Sequence, residues 1–267
     1  MKNMAKPQRS PCNSPPDWRF QAWSFTTKPF HSAEIGHTFP AGTDVVEYSY
    51  VKWGRHFLGL AVPNGTAIFL NLFRRAYEQA AALLRDESKH KVRGHQTVFA
   101  DSGDGINWTE DMAASVIFAF TALEAFANEM IPEDYVWQQS GKSCQDEEEF
   151  DKEQIERSLP LDTKLGDILP KVLNCASLKG TQAWKRYVEL KRVRHRLIHL
   201  KDRDWHGSNP DADTVWGALS TPAPHTTALA VVDRLLKRAE KKPNWRKFYL
   251  NPWTNQRQDL PLVQAGS

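Results

Sequence analysis

The sequence ELKRVRHRLIHLK at residues 189–201 places two histidines and a dense set of cations inside a helical apolar pattern. At about 100° per residue, the apolar positions form one stripe along a helix, and Arg194 falls within it. A buried arginine must be paired, extend its head group to solvent or face an anion, because an unpaired buried charge costs several kcal/mol. The opposite side carries Trp184, Val188, His195 and His199, which predicts a helix contacted on both sides. The stripe itself consists of Tyr187, Leu190, Val193, Leu197 and Leu200.

The composition is that of a globular protein with a sizeable core. Its 267 residues and 40% hydrophobic content suit one large domain or one domain with an appendage. The net charge of +3 is only mildly basic, but an acidic run at 146–156 and a basic run at 185–203 give the molecule a positive side. Three cysteines with no C-x-x-C pair favour a reducing cytoplasm. No apolar stretch reaches the roughly 18 to 20 residues of a membrane span, so we expect a cytoplasmic protein with no membrane partner.

The N-terminal part of the chain predicts a tail and a small β appendage. Residues 1–17 are rich in proline and polar side chains, a composition typical of a disordered tail. Residues 18–62 are richer in aromatic and β-branched side chains. Within them, two such runs at 44–51 and 56–62 flank a short connection that contains Gly54, which predicts a β-hairpin.

The rest of the chain predicts four long helices. Apolar residues recur at helical spacing over 64–86, 109–131 and 181–200, and again from Leu229 to Ala239 before Pro243. The second of these helices is apolar almost all round. Its polar residues Thr121, Glu124 and Asn128 lie along one line, which favours a central bundle helix over a membrane helix.

The connections between these helices are less regular. We expect a loop at 89–105, with a possible strand at 97–100, and an irregular insertion at 132–180. Within the insertion, residues 146–156 predict a short solvated helix, and residues 165–173 predict a partly buried helix broken at Pro170. The predicted fold class is therefore mainly α, with a four-helix bundle at 63–242, an N-terminal β-hairpin appendage, this insertion between helices two and three, and a C-terminal tail at 243–267.

Two segments carry a resemblance to a known family. The motif RHRLIH at 194–199 ends a helix, and ALEAFANE at 122–129 lies on a buried helix before it. Together they resemble the HEPN superfamily over roughly residues 64–242. The resemblance implies a HEPN-like four-helix bundle, a site completed across a homodimer, and metal-independent ribonuclease activity of the kind found in toxins and antiviral defence. His195 is a departure, because asparagine is the more familiar residue after the arginine.

The residues also suit this chemistry by themselves. RNA cleavage needs a base for the 2′-hydroxyl proton, an acid for the leaving 5′-oxygen and a cation near the phosphate. His199 supplies an imidazole, the side chain that most often transfers protons in enzymes, and the planar fork of Arg194 suits phosphate. The two lie about 140° apart on an ideal helix, so two helices meeting at a twofold axis would focus them better than one.

We therefore predict a site in which His199, Arg194 and His195 are catalytic and Glu124 and Asn128 are supporting residues. Further cations on the same helix are predicted to face RNA. The implied products end in a 2′,3′-cyclic phosphate, and the implied partners are RNA, a second copy of the chain and a cognate inhibitor or activator. No cofactor is expected. The predicted RNA-binding residues are Arg192, Arg196 and Lys201.

Other interpretations of the same residues stay open. Arg194 could form a structural salt bridge to Glu124, and His199 could be a hydrogen-bonded residue near a helix C-terminus. His195 and His199 could instead bind zinc with His206, although the Glu of an H-E-x-x-H motif is missing. A non-catalytic HEPN-like module that binds RNA, nucleotide or a partner protein is the main alternative function. The sequence contains no phosphate-binding glycine loop and no G-x-S-x-G motif, which gives kinase and serine-hydrolase activities little support.

Overall fold

The computed structural model describes most of the chain in two compact units. The first unit comprises Met1–Asn64 and Asn244–Ser267, and the second comprises Gly65–Pro243. The predicted tail at 1–17 and all but a short part of the predicted tail at 243–267 lie outside the described residues. None of the described helices combines the length and hydrophobicity needed to cross a bilayer. The described residues are 18–21, 23–33, 36–94, 96–140, 147–205, 214–219, 223–239 and 242–247.

The described residues of the first unit form three antiparallel strand pairs. The hairpin predicted around Gly54 is confirmed, and Gly54 has the positive φ of 59° that its tight turn requires. Hydrogen bonds tie the base of this hairpin to preceding segments, because Gln21 N donates to Val62 O at 2.8 Å and Val62 N donates to Glu47 O at 2.8 Å. The pairs are β1 (Trp23–Phe25) with β4 (Asp44–Val46), β2 (Phe30–Ser32) with β3 (His37–Phe39), and β5 (Tyr48–Trp53) with β6 (His56–Ala61).

The second unit begins with two long helices. The first, α1 (Gly65–Arg85), agrees closely with its prediction. A 3₁₀ turn at Glu87–Lys89 and a hairpin of β7 (His90–Arg93) and β8 (Gln96–Phe99) follow, so the loop predicted at 89–105 is largely wrong. The helix α2 (Ser102–Met130) begins seven residues before its predicted start. Asp101 explains the early start, because its side chain accepts a hydrogen bond from Gly103 N and caps the first turn.

The insertion after α2 contains a strand pair and a nearly continuous helical run. The predicted acidic helix begins later than expected, because Glu147–Phe150 pairs with Trp137–Ser140 and the helix starts only after Asp151, which closes a capping box with Gln154. The predicted break at Pro170 is also wrong. Pro170 lies in the first turn of its helix, where its missing N–H costs nothing. The elements are β9 (Trp137–Ser140), β10 (Glu147–Phe150), α3 (Lys152–Ser158), α4 (Leu161–Thr163), a π-helical turn (Lys164–Ile168) and α5 (Leu169–Val172).

Four helices follow in the described part of the second unit. Thr181 caps α6 (Gln182–Ile198), which ends two residues before its predicted end, and the last long helix, α9 (Ala223–Leu236), begins before its predicted apolar face. Buried apolar side chains join α2 to α1, α6 and α9, and α6 also packs on α9. The described residues are therefore mainly helical, and α6 is held along its inner face. The helices are α6 (Gln182–Ile198), α7 (Asp202–Trp205), α8 (Val215–Leu219) and α9 (Ala223–Leu236).

Candidate functional site

The two histidines of α6 lie together on the protein surface. The rings of His195 and His199 are both exposed, with centroids 4.6 Å apart and planes inclined by 52°. The helix ends at Ile198, and His199 N still donates to His195 O at 3.0 Å. This backbone bond keeps the second imidazole beside the first although its residue has left helical geometry. The arrangement offers two proton-transfer groups to one ligand.

Arg194 lies next to this pair but points toward the core. Its side chain is half-buried, and its guanidinium carbon lies 5.0 Å from the centre of the Phe120 ring on α2. Such a contact stabilises a cation by the charge distribution of the ring. Among the described residues, no ion pair joins Arg194 to Glu124, which had been one interpretation of the sequence. Arg194 is therefore fixed by an aromatic ring and remains partly accessible to an anion.

Arg196 is the deeply buried arginine of this helix. It is 7% exposed, and its guanidinium lies 3.2 Å from the carboxylate of Asp204 on α7. That carboxylate also accepts hydrogen bonds from Lys201 N at 3.0 Å and Val215 N at 2.8 Å, and these backbone donors are the main reason why the pKa of Asp204 is lowered. The prediction that Arg196 faces RNA is wrong in this structure, because its charge is committed to Asp204 inside the protein.

The other two predicted RNA-binding cations lie on the surface. Arg192 is exposed and donates two hydrogen bonds to the carboxylate of Glu189, at 2.8 and 3.1 Å. The side chain of Lys201 is exposed just beyond the end of α6. Both can reach a polyanion, although part of the charge of Arg192 is already balanced by its neighbour.

Glu124 and Asn128 belong to the surroundings of a buried lysine. Lys164, from the π-helical turn, is buried and donates to Asn128 Oδ1 at 3.0 Å and to the backbone oxygen of Glu156 at 2.7 Å. Burial lowers the pKa of Lys164, and the charges of Glu124 and Glu156 oppose that shift. The polar line on α2 indicated that a buried partner was needed. The sequence had no signal that the partner would be a lysine 36 residues later.

A second network, which reaches from a buried hydroxyl to partly exposed charges, lies beside Phe120. Tyr187, fully buried on α6, donates its hydroxyl hydrogen to Asp162, and Lys191 Nζ donates to the same carboxylate at 2.6 Å. Burial raises the pKa of Tyr187, and the bond to Asp162 raises it further. Burial also tends to raise the pKa of Asp162, but the hydrogen bonds from Lys191 and Tyr187 outweigh it and the pKa is lowered. The network orients the helix that carries the histidines.

The predicted site residues thus fall into separate groups. Arg194, His195 and His199 lie together at the end of α6, whereas Glu124 and Asn128 belong to the environment of Lys164. Among the described residues, no group of three potential ligands is placed to hold a metal ion, and His206, the third ligand of the zinc interpretation, lies outside them. No protein-family model, curated protein or solved structure matches the chain. The resemblance to the HEPN superfamily therefore rests on the residues quoted above.

Proposed function

We propose that this chain is a metal-independent endoribonuclease resembling the HEPN nucleases of toxins and antiviral defence, with α1, α2, α6 and α9 as the four-helix bundle. His199 acts as general acid or base, His195 assists proton transfer, and Arg194 stabilises the phosphate. Glu124 and Asn128 support the site indirectly by holding Lys164. The working form is a cytoplasmic homodimer in which Arg194 of one copy faces His199 of the other, and a cognate inhibitor or activator controls it.

One observation carries this proposal. Two exposed imidazoles lie 4.6 Å apart at the end of a basic helix, and a second copy would bring a partly accessible arginine to them. One imidazole can take the proton of the 2′-hydroxyl while the 2′-oxygen attacks phosphorus. The other can give a proton to the departing 5′-oxygen, so that a 2′,3′-cyclic phosphate and a 5′-hydroxyl result. The arginine fork is suited to the charge that develops on the phosphate oxygens.

The test is cleavage of a mixed RNA pool in excess EDTA, with the end groups of the products identified. Wild type should leave cyclic phosphates, and His199→Ala should cleave about a hundredfold to ten-thousandfold more slowly, because it lacks the proton-transfer group. Lys185→Ala is the matched control, since it removes an exposed cation of the same helix that is not one of the predicted site residues. The proposal would be refuted if the wild-type dimer left RNA intact with every candidate activator. It would also be refuted if His199→Ala remained active.

A mixing experiment tests the composite site. Arg194→Ala and His199→Ala homodimers should both be inactive. When they are mixed and allowed to exchange subunits, half of the dimers carry both variants, and each of these has one intact site. Activity should return to about a quarter of the wild-type level. A mixture that stays inactive although mixed dimers form would show that each site is built within one copy.

The alternative is a non-catalytic HEPN-like module that binds RNA, nucleotide or a partner protein. The position of Arg194 on Phe120 favours it, because a cation held by an aromatic ring can serve stability alone. Under this alternative, Arg194→Ala lowers the melting temperature and His199→Ala changes neither stability nor any cleavage. Under the nuclease proposal, both variants melt close to wild type and lose activity.

A further inference from the structure

The β5–β6 hairpin exposes aromatic rings that do not contribute to a core. Tyr48, Tyr50 and Phe57 are 63%, 74% and 72% exposed. Most large aromatic side chains in a folded protein are covered, since each buries a large apolar area when it packs. Together with Trp53, which is 72% exposed and lies on the other face of the ladder, these three rings indicate a binding surface more than a structural one.

The strand register places these three rings on the same face. Side chains alternate along a strand, so Tyr48, Tyr50 and Lys52 share a face. Phe57 pairs with Lys52 and therefore lies on that face too. In a regular ladder, the residues that carry neighbouring rings are about 7 Å apart along β5 and about 7 to 8 Å apart on the diagonal from Tyr50 to Phe57, so each ring can meet its own base. We call the set of Tyr48, Tyr50, Lys52 and Phe57 the aromatic face.

Gly59 leaves room for the ring of Tyr50 on the opposite strand. The two residues pair, and a Cβ added at Gly59 would lie 3.4 Å from Cε1 of the Tyr50 ring. One edge of the ring therefore lies near a position that has no side chain of its own. Tyr50 is nevertheless 74% exposed, so most of its ring is accessible to a stacking nucleobase.

The charged side chains of the hairpin are all cations. Residues 48–61 contain Lys52 and Arg55 and no carboxylate. Lys52 belongs to the aromatic face, and Arg55 lies in the turn beside it. The nearest acidic residue before the ladder is Glu47, at the opposite end from both cations. This charge is complementary to a phosphate backbone, whereas the rings take any base because every base has an aromatic surface.

We propose that the aromatic face of the β5–β6 hairpin binds single-stranded RNA by base stacking. Tyr48, Tyr50 and Phe57 each receive a base, and Lys52 contacts the backbone between them. The choice of RNA rests on the proposed ribonuclease function, but the aromatic face contains neither histidine of the pair, and binding there needs no cleavage. The hairpin would then present extended RNA without sequence preference.

The test measures binding of a fluorescently labelled 2′-O-methyl RNA oligonucleotide, which lacks the attacking hydroxyl and cannot be cleaved. The full-length triple variant Tyr48→Ser, Tyr50→Ser, Phe57→Ser should bind far more weakly. Each lost stack should weaken binding by about 5-fold to about 150-fold. Because the three side chains are exposed, their replacement should leave the hairpin folded, which amide hydrogen exchange over residues 48–61 checks.

The opposite face of the same hairpin supplies the matched control. Val51→Ser, Leu58→Ser, Leu60→Ser also replaces three exposed apolar side chains, which are 45 to 48% exposed, but it leaves every ring of the aromatic face in place. This variant should bind the oligonucleotide as wild type does. Equal loss of oligonucleotide binding in both triple variants would overturn the proposal, because it would show that binding depends on the folding of the hairpin or on its general hydrophobicity.

Salt dependence separates RNA from a protein partner. Lys52→Ala should reduce the slope of log affinity against log salt by about 0.7, the value for one phosphate contact on a single strand. If the aromatic triple variant bound the oligonucleotide as wild type does, the proposal would be overturned. A change in the sedimentation mass of that variant would then assign the face to protein association. His199→Ala should bind the oligonucleotide normally, so loss of cleavage and loss of stacking are measured independently.

Discussion

On the inner side of α6, Tyr187 and Arg196 are buried and each is bonded to a carboxylate, whereas on the outer side His195 and His199 are exposed. Both sides carry polar groups, but the inner ones have partners that offset the cost of removing them from water. The outer imidazoles make no comparable contribution to the core. The difference separates residues that hold the helix in place from residues that can serve a ligand.

The largest effect should come from the apolar part of the inner side. Leu190 is fully buried, and Leu190→Ala should lower the free energy of unfolding by about 2 to 5 kcal/mol through lost burial and the cavity that remains. Val188→Ala, two residues earlier on the same helix, removes a side chain that is 47% exposed and should cost far less. Denaturant unfolding of both variants measures the contrast, and similar losses would show that the outer side is also covered.

The next effect concerns Asp204 and the acid stability of the protein. The folded state lowers its pKa below the ordinary 3.8, so the ionised carboxylate contributes stability that is present above about pH 4 and is lost as pH falls through the lower folded value. Asp204→Asn removes the negative charge that pairs with Arg196, so this variant should melt at a lower temperature than wild type at neutral pH. Between pH 7 and about pH 3, the melting temperature should change less for this variant than for wild type. If the melting temperatures of both proteins fell equally over this pH range, this role of the carboxylate would be ruled out.

A smaller effect should come from the hydroxyl of Tyr187. Tyr187→Phe keeps the ring, which packs on Phe120 and Trp184, but removes the hydrogen bond to Asp162. Because Lys191 still binds that carboxylate, the loss should be about 1 to 2 kcal/mol. Chemical denaturation gives the value. Lys191→Met on the same carboxylate is the comparison, and it should cost less because its side chain is partly in solvent.

The main elements could be predicted from local pattern. Helical spacing predicted α1 almost to the residue, and two β-rich runs around Gly54 predicted the β5–β6 hairpin. Predictions failed where a specific contact, and not the local pattern, decides the secondary structure. Glu147–Phe150 has the acidic composition of a solvated helix but becomes a strand by pairing with Trp137–Ser140. The early start of α2 depended on the capping of Gly103 by Asp101, in a stretch where glycines suggested a loop.

The candidate site shows the same division between sequence and fold. The sequence by itself determined that α6 would carry a buried apolar stripe and two histidines one turn apart, because helical geometry fixes which side chains share a face. Only the tertiary structure decided which arginine is buried. The helical pattern placed Arg194 within the stripe, but the deeply buried arginine is Arg196, because Asp204 pairs with Arg196 whereas Arg194 lies over the ring of Phe120. Helical periodicity gives the direction in which each side chain leaves one helix. The partner that a side chain contacts depends on segments that meet only after the chain has folded.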